Sequence, residues 1–136
     1  MATRSLIGKL NADGTITNIY CHWDGYPSHN GVILQEFYNT PVKVDQLLAL
    51  GNLSALDEEI GEKQDFDDRS TQGGNWCLAY GRDRGESNQE AKTVTRKEFF
   101  SKDHGVDYLY LYNNEMEWEC YDAWSHAPVE ILADVA

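Results

Sequence analysis

The run Y-L-Y-L-Y-N-N-E-M-E-W-E-C-Y, Tyr108 to Tyr121, decides how this chain is read. Two strand-prone segments, Tyr108 to Tyr112 and Glu115 to Tyr121, flank Asn113-Asn114. Asparagine tolerates the left-handed backbone that a tight hairpin turn demands. A two-residue loop pairs Leu111 with Met116, Leu109 with Trp118, Tyr110 with Glu117 and Tyr108 with Glu119. One face is then wholly apolar and the other carries tyrosines and glutamates. Two independent alternations thus agree on a β-hairpin with one buried face.

A second hairpin opens the chain. Thr3 to Leu10 and Thr15 to Asp24 surround Asn11-Ala12-Asp13-Gly14, an Asp-Gly turn signal. A three-residue loop pairs Ile7 with Ile19 and Leu10 with Ile16, whereas a two-residue turn at Asp13-Gly14 moves every pair by one and swaps the faces. Between the hairpins, Ser28 to Tyr38 suits a helix with Ile33, Leu34 and Phe37 on one face. Thr40 suits a cap and Pro41 a first helical position, with Val44, Leu47 and Leu48 on one face and Gly51 as the stop. Leu53, Leu56 and Ile60 suggest a short or irregular helix over 52–60. Residues 61–74 read as a polar loop, Asn75 to Gly81 as a short buried strand, and Arg82 to Lys92 as a mobile polar segment. Thr95 and Glu98 have capping-box spacing ahead of Phe99 and Phe100. The tail, Ser125 to Ala136, offers Val129, Ile131 and Leu132 for an edge strand or for packing on a neighbouring subunit. The expected fold is one α+β domain over 1–136. It has an antiparallel sheet of about five strands, two hairpins plus one strand, with two to four short helices packed on one face.

With 136 residues, 41% of them apolar, such a domain builds a core without metal or disulfide staples. The formal charge of −12 repels nucleic-acid backbone and anionic membrane and suits a basic partner. No direct DNA or RNA binding is therefore expected. No stretch approaches the ~20 apolar residues of a membrane helix, and Met1 to Leu10 contains no apolar run of signal-peptide length. Three cysteines without a C-x-x-C pair fit a reducing cytosol. In Tyr20-Cys21-His22-Trp23-Asp24-Gly25-Tyr26-Pro27, Cys21 and His22 point to opposite faces of a regular strand, so no metal site is expected there. No cofactor motif and no catalytic signature appears.

Tyr80-Gly81-Arg82-Asp83-Arg84-Gly85-Glu86 places two arginines between two glycines in an otherwise acidic chain. Glycine lets backbone approach a ligand, and guanidinium forks suit phosphate or carboxylate. The alternative is a surface turn whose arginines pair with Asp83, Glu86 or other acids. Asp57, Glu58, Glu59, Glu62, Asp65, Asp67 and Asp68, with Glu115, Glu117 and Glu119 on the last hairpin, form either a solvated face or a spaced imitation of a phosphate backbone.

The strings Thr3 to Thr15, Tyr20 to Pro27, Val44 to Ser54 and Tyr80 to Glu86 resemble a widespread family of small phage-encoded proteins, with Y-C-H-W-D-G-Y-P the most specific. This chain carries Asn52 where the resemblance leads one to expect Asp, and a longer polar insert after Arg84. The resemblance implies a counter-defence factor similar to the nucleotide sponges that sequester cyclic signals of bacterial immunity (the anti-CBASS type), acting as a homo-oligomer in the host cytoplasm. On that reading the ligand is a cyclic dinucleotide or oligonucleotide, bound and not cleaved. Arg82, Arg84 and Arg4 would hold phosphate, Trp23, Tyr26 and Tyr80 would stack on bases, and His22 would hydrogen-bond a base or ribose. Two other readings stand beside it. One is an acidic DNA mimic that inhibits a host nucleic-acid-binding enzyme; the other is a nucleotide-cleaving enzyme using His22 and Asp24.

Overall fold

The computed structural model describes residues 2–68, 70, 72, 74–101 and 105–131. The opening hairpin joins β1 (Ser5–Leu10) to β2 (Ile16–Cys21), and a wide helical turn over Pro27–Gly31 leads into α1 (Val32–Phe37). There follow α2 (Pro41–Ala49), β3 (Leu53–Ala55), β4 (Leu78–Ala79), α3 (Tyr80–Arg84), β5 (Lys92–Val94), α4 (Arg96–Phe99), β6 (Tyr108–Tyr112) and β7 (Trp118–Asp122). The sheet runs β4-β3-β2-β1-β6-β7, and β5 shares the outer edge of β2 with β3.

The α+β class is as the sequence suggests, but the sheet is mixed: β1 is parallel to β6 and β2 is parallel to β3. The two hairpins meet through their first strands, which run the same way. The long stretch between them supplies the crossover that a parallel pair requires. Helices also cover both faces, not one. On one side α1 and α2 bury Leu34, Val44, Leu47 and Leu48 against Ile7, Ile19 and Tyr110. On the other, α4 sets Phe99 among Leu6, Ile16, Leu109 and Leu111. The central strands are consequently apolar on both sides, as in sheets covered from above and below.

Local chemistry accounts for several elements. Thr40 caps α2 by accepting from the Lys43 amide at 3.3 Å, with Pro41 in the first turn. Thr95 and Glu98 form the reciprocal capping box on α4. The first hairpin takes the three-residue loop: Ile7 lies opposite Ile19 and Leu10 opposite Ile16. There the Asn11 amide donates to the Thr15 carbonyl, and the hydroxyl and amide of Thr15 hold the Asp13 carboxyl below the usual range.

The last hairpin takes a different register from the one its alternation suggests. Tyr112 lies opposite Trp118, Tyr110 opposite Cys120 and Leu109 opposite Tyr121. Tyr110 and Tyr112 belong to the core, and their hydroxyls donate to the carbonyls of Gly25 and Asn39. With both faces buried, alternation no longer selects a register. The turn does so instead, because the Asn113 side-chain oxygen accepts from the amides of Glu115 and Glu117. Glu115 and Glu117 therefore sit in the turn and only Glu119 lies in a strand, so the evenly spaced carboxylate row does not form.

Both hairpins share one turn geometry, with Met116 at φ 60° where the first has Gly14 at φ 89°. An L side chain in that region costs about 1–2 kcal/mol, and Met116 is 59% exposed, with little packing to lose. Met116→Gly is expected to raise stability by about 0.5–1 kcal/mol after the entropy of glycine is counted. Urea denaturation checks this, and a destabilised variant would contradict it.

Other differences have equally local causes. Residues 53–55 form β3, not a helix, because Cys21 at the end of β2 and His22 and Trp23 just beyond it offer their ladder groups to Leu53 and Ser54. The strand expected over 75–81 shortens to β4, and the segment after it turns into α3. Phe37 is exposed, and Tyr38 is buried in its place. The tail adds one bridge to the outer edge of β7, Pro128 opposite Tyr121, while Leu132 lies outside the described residues. Cys21, Cys77 and Cys120 are free and buried. Among the described residues no helix is long and apolar enough to cross a membrane.

Candidate ligand-binding cleft

Past the end of β2, over β3 and the start of β4, lies a cleft of about 490 Å³ whose walls include Trp23, Phe66 and Trp76 and whose polar groups include Ser54, Asp57 and Gln72. Trp23 leaves β2 with its amide bound to the Ser54 carbonyl at 3.0 Å, so its indole stands over the end of β3. Trp23 is 45% exposed, and its ring meets that of His22 edge to face at 4.7 Å. Trp76 is held by an isolated bridge to Glu59 and packs against Gly61, where a Cβ would come within 2.3 Å of the indole. Phe66 stacks on Tyr80 at 5.5 Å and carries the Arg84 guanidinium over its ring at 4.8 Å. Arg84 is half-exposed and also reaches Glu86 at 3.6 Å.

The expected site residues separate into three groups. Of them, Trp23 alone lines the cleft; His22 touches it through the Trp23 ring, and Tyr80 and Arg84 through Phe66. Burial raises the Tyr80 phenol above its ordinary range, and the Ser54 hydroxyl works in the opposite direction. Arg82 belongs to the frame beneath the cleft. Its Nη1 donates to the Ile60 carbonyl at 2.7 Å, its Nη2 to the Cys77 carbonyl at 2.9 Å, and its Nε to Asp83 at 2.9 Å. Asp83, with a fully buried side chain, also receives the amides of Gln64 and Ala79. Burial would raise this carboxyl, but Arg82 and the two amides outweigh it and hold it below the usual range. Tyr26 and Arg4 lie outside the cleft lining. The Tyr26 hydroxyl donates to Asp24, its ring meets His29, and the Arg4 charge acts on the Tyr20 phenol.

His22 and Asp24, paired above as possible catalytic groups, hydrogen-bond to different tyrosines: His22 to Tyr20 at 2.8 Å and Asp24 to Tyr26 at 3.3 Å. Cys21 is in the core beneath α1 while His22 stays outside it, as strand alternation requires. Among the described residues no three metal-binding side chains converge. A separate hollow of about 260 Å³ between β1 and α2 is lined by Lys9, Asp45 and Leu48 and has no aromatic face.

Sequence reasoning passes over Phe66, Trp76 and Gln72, and it places Asp57 only in the acidic stretch. The signal at Phe66 was a single large ring within an acidic, otherwise polar run, with no helical or strand partner to explain it. Trp76 falls within Asn75 to Gly81, the segment whose sequence suggests a short buried strand. Comparison with protein-family models, with curated proteins and with solved structures finds no match to this chain.

Proposed function

We propose that this chain binds a cyclic dinucleotide or oligonucleotide in the Trp23–Trp76 cleft and sequesters it without cleaving it, as a phage-encoded counter-defence protein acting in the host cytoplasm. The observation that carries the reading is the gathering of Trp23, Phe66 and Trp76 around one hollow, with the Arg84 guanidinium laid across Phe66 at 4.8 Å. Aromatic faces of this kind stack on bases whatever their identity, and the half-exposed Arg84 guanidinium, paired with Glu86 at 3.6 Å, is a cation that a phosphate would compete for. Sequestration needs stacking, one or more cations and a pre-formed hollow, and the frame beneath the cleft keeps that hollow in shape.

A thermal-shift screen against cyclic di- and trinucleotides tests the reading. A ligand that raises the melting temperature should lose about tenfold or more in affinity with Trp23→Ala, since base stacking is worth about 1–3 kcal/mol. Arg84→Ala should weaken binding and flatten its salt dependence. No shift with any of these nucleotides would end the proposal. Arg82→Ala is the wrong probe, because its loss opens the frame beneath the cleft.

A further inference from the structure

We infer that the cleft selects guanine among the bases, an inference that rests on the nucleotide-binding reading above. The ground for it is the hydrogen-bonding character of the polar groups that line the hollow. Asp57 is fixed from below: its carbonyl accepts from the Tyr38 hydroxyl at 2.7 Å, and its amide meets the Cys77 sulfur at 3.3 Å. Its Oδ1 accepts from the Glu58 amide at 2.8 Å, which sets the carboxylate plane. Its Oδ2 accepts no hydrogen bond among the described residues. Gln72 spends its amide hydrogens on the carbonyls of Asp65 and Phe66, at 3.0 and 2.9 Å. Both partners are acceptors, so the NH₂ end of Gln72 is assigned by the network and, among the described residues, only its Oε1 remains for a ligand. The Ser54 hydroxyl is engaged with Tyr80.

Apart from the indole N–H groups of Trp23 and Trp76, the polar side chains of the lining turn acceptors to the hollow, between rings that take a flat ligand. A base held there must turn donors toward Asp57. Guanine has two adjacent donors on one edge, N1–H and the N2 amino group, which match the two oxygens of a carboxylate. Adenine and cytosine each set an amino group beside a bare ring nitrogen, whose lone pair would face a carboxylate oxygen. Uracil sets a single N–H between two carbonyls. Setting the half-buried Asp57 carboxylate against a lone pair is the strongest means of discrimination such a site has.

The probes are cyclic di-guanylate, cyclic di-adenylate, GMP and AMP, measured by quenching of tryptophan fluorescence on the full chain and on Asp57→Asn. Guanine-containing probes should bind about tenfold or more tighter than their adenine counterparts. Asp57→Asn should erase that preference while its melting temperature stays at the parent value, because the asparagine oxygen still accepts from Glu58. Equal binding of guanine and adenine probes, or a preference unaltered by Asp57→Asn, overturns the guanine assignment and leaves nucleotide binding standing. Quenching by none of the four, together with no thermal shift in the wider screen, overturns both.

Discussion

Asp83→Ala is expected to destabilise the chain by about 3–5 kcal/mol, a large part of the ~5–15 kcal/mol that holds a domain folded. The Asp83 side chain is fully buried and the Arg82 side chain 17% exposed. Removing the carboxylate leaves a shielded guanidinium with its charge uncompensated. It also orphans the amides of Gln64 and Ala79, which bind Asp83 at 3.0 and 2.8 Å. Asp83→Asn should cost less, because one acceptor survives. The same carboxyl sets part of the acid response. Its folded pKa is depressed below 3.8, so the unfolded chain binds more protons there, and stability rises with pH across the interval between the two values. The contribution is complete above the unfolded value and disappears as pH falls through the folded one. Urea denaturation at neutral pH and again near the acid limb should show the parent converging on Asp83→Ala as the acid is strengthened. A loss under about 1 kcal/mol at neutral pH would mean that the pair is not the brace described above.

Gly51→Ala should be nearly as damaging, at about 3–4 kcal/mol. Gly51 has φ 75°, and a Cβ built there would stand 2.1 Å from the Gln89 carbonyl oxygen. That oxygen accepts from the Asn52 amide at 2.7 Å, so the clash falls on a hydrogen bond that cannot be given up cheaply. Asn52 is a junction. Its side-chain oxygen accepts from the Tyr20 amide at 2.9 Å, its NH₂ donates to the Gln89 side chain, and its carbonyl accepts from Tyr80. It stands in for the missing ladder rung between β3 and β5 on the edge of β2. Gly85→Ala separates the two effects: Gly85 has φ 74°, but nothing lies within 4 Å of its Cβ position. Only the backbone term of about 1–2 kcal/mol should appear there. Equal losses at the two glycines would refute the steric account.

What could be read in advance divides along the range of the interactions. α2 was legible throughout, from Thr40-Pro41 to Gly51, because its cap, its apolar face and its stop are all encoded within a dozen neighbours. The Thr95–Glu98 box and the existence of the first hairpin were legible for the same reason, but the hairpin's register stood open between two loops until the Asn11–Thr15 pairing decided it. The last hairpin misled because its tyrosines are core residues whose hydroxyls reach Gly25 and Asn39, far away in the chain. An alternation read as apolar against polar was apolar on both sides. The arginine pair divided for a similar reason. Arg84 stays at the cleft rim, while Arg82 is claimed by Ile60 and Cys77, carbonyls that no local pattern assigns to it. The cleft drew its remaining walls from a run that carries no periodicity.

The three shut-away cysteines make the domain its own stopwatch. Only a thiolate reacts with iodoacetamide, and desolvation pushes the Cys21 and Cys120 thiols up to about 12 and raises Cys77 as well. Alkylation must therefore wait for a molecule to open. Uniform labelling rates at the three sulfurs would report one cooperative opening. A head start at Cys77, the thiol whose carbonyl holds Arg82, would show that the region beneath the cleft opens before the rest.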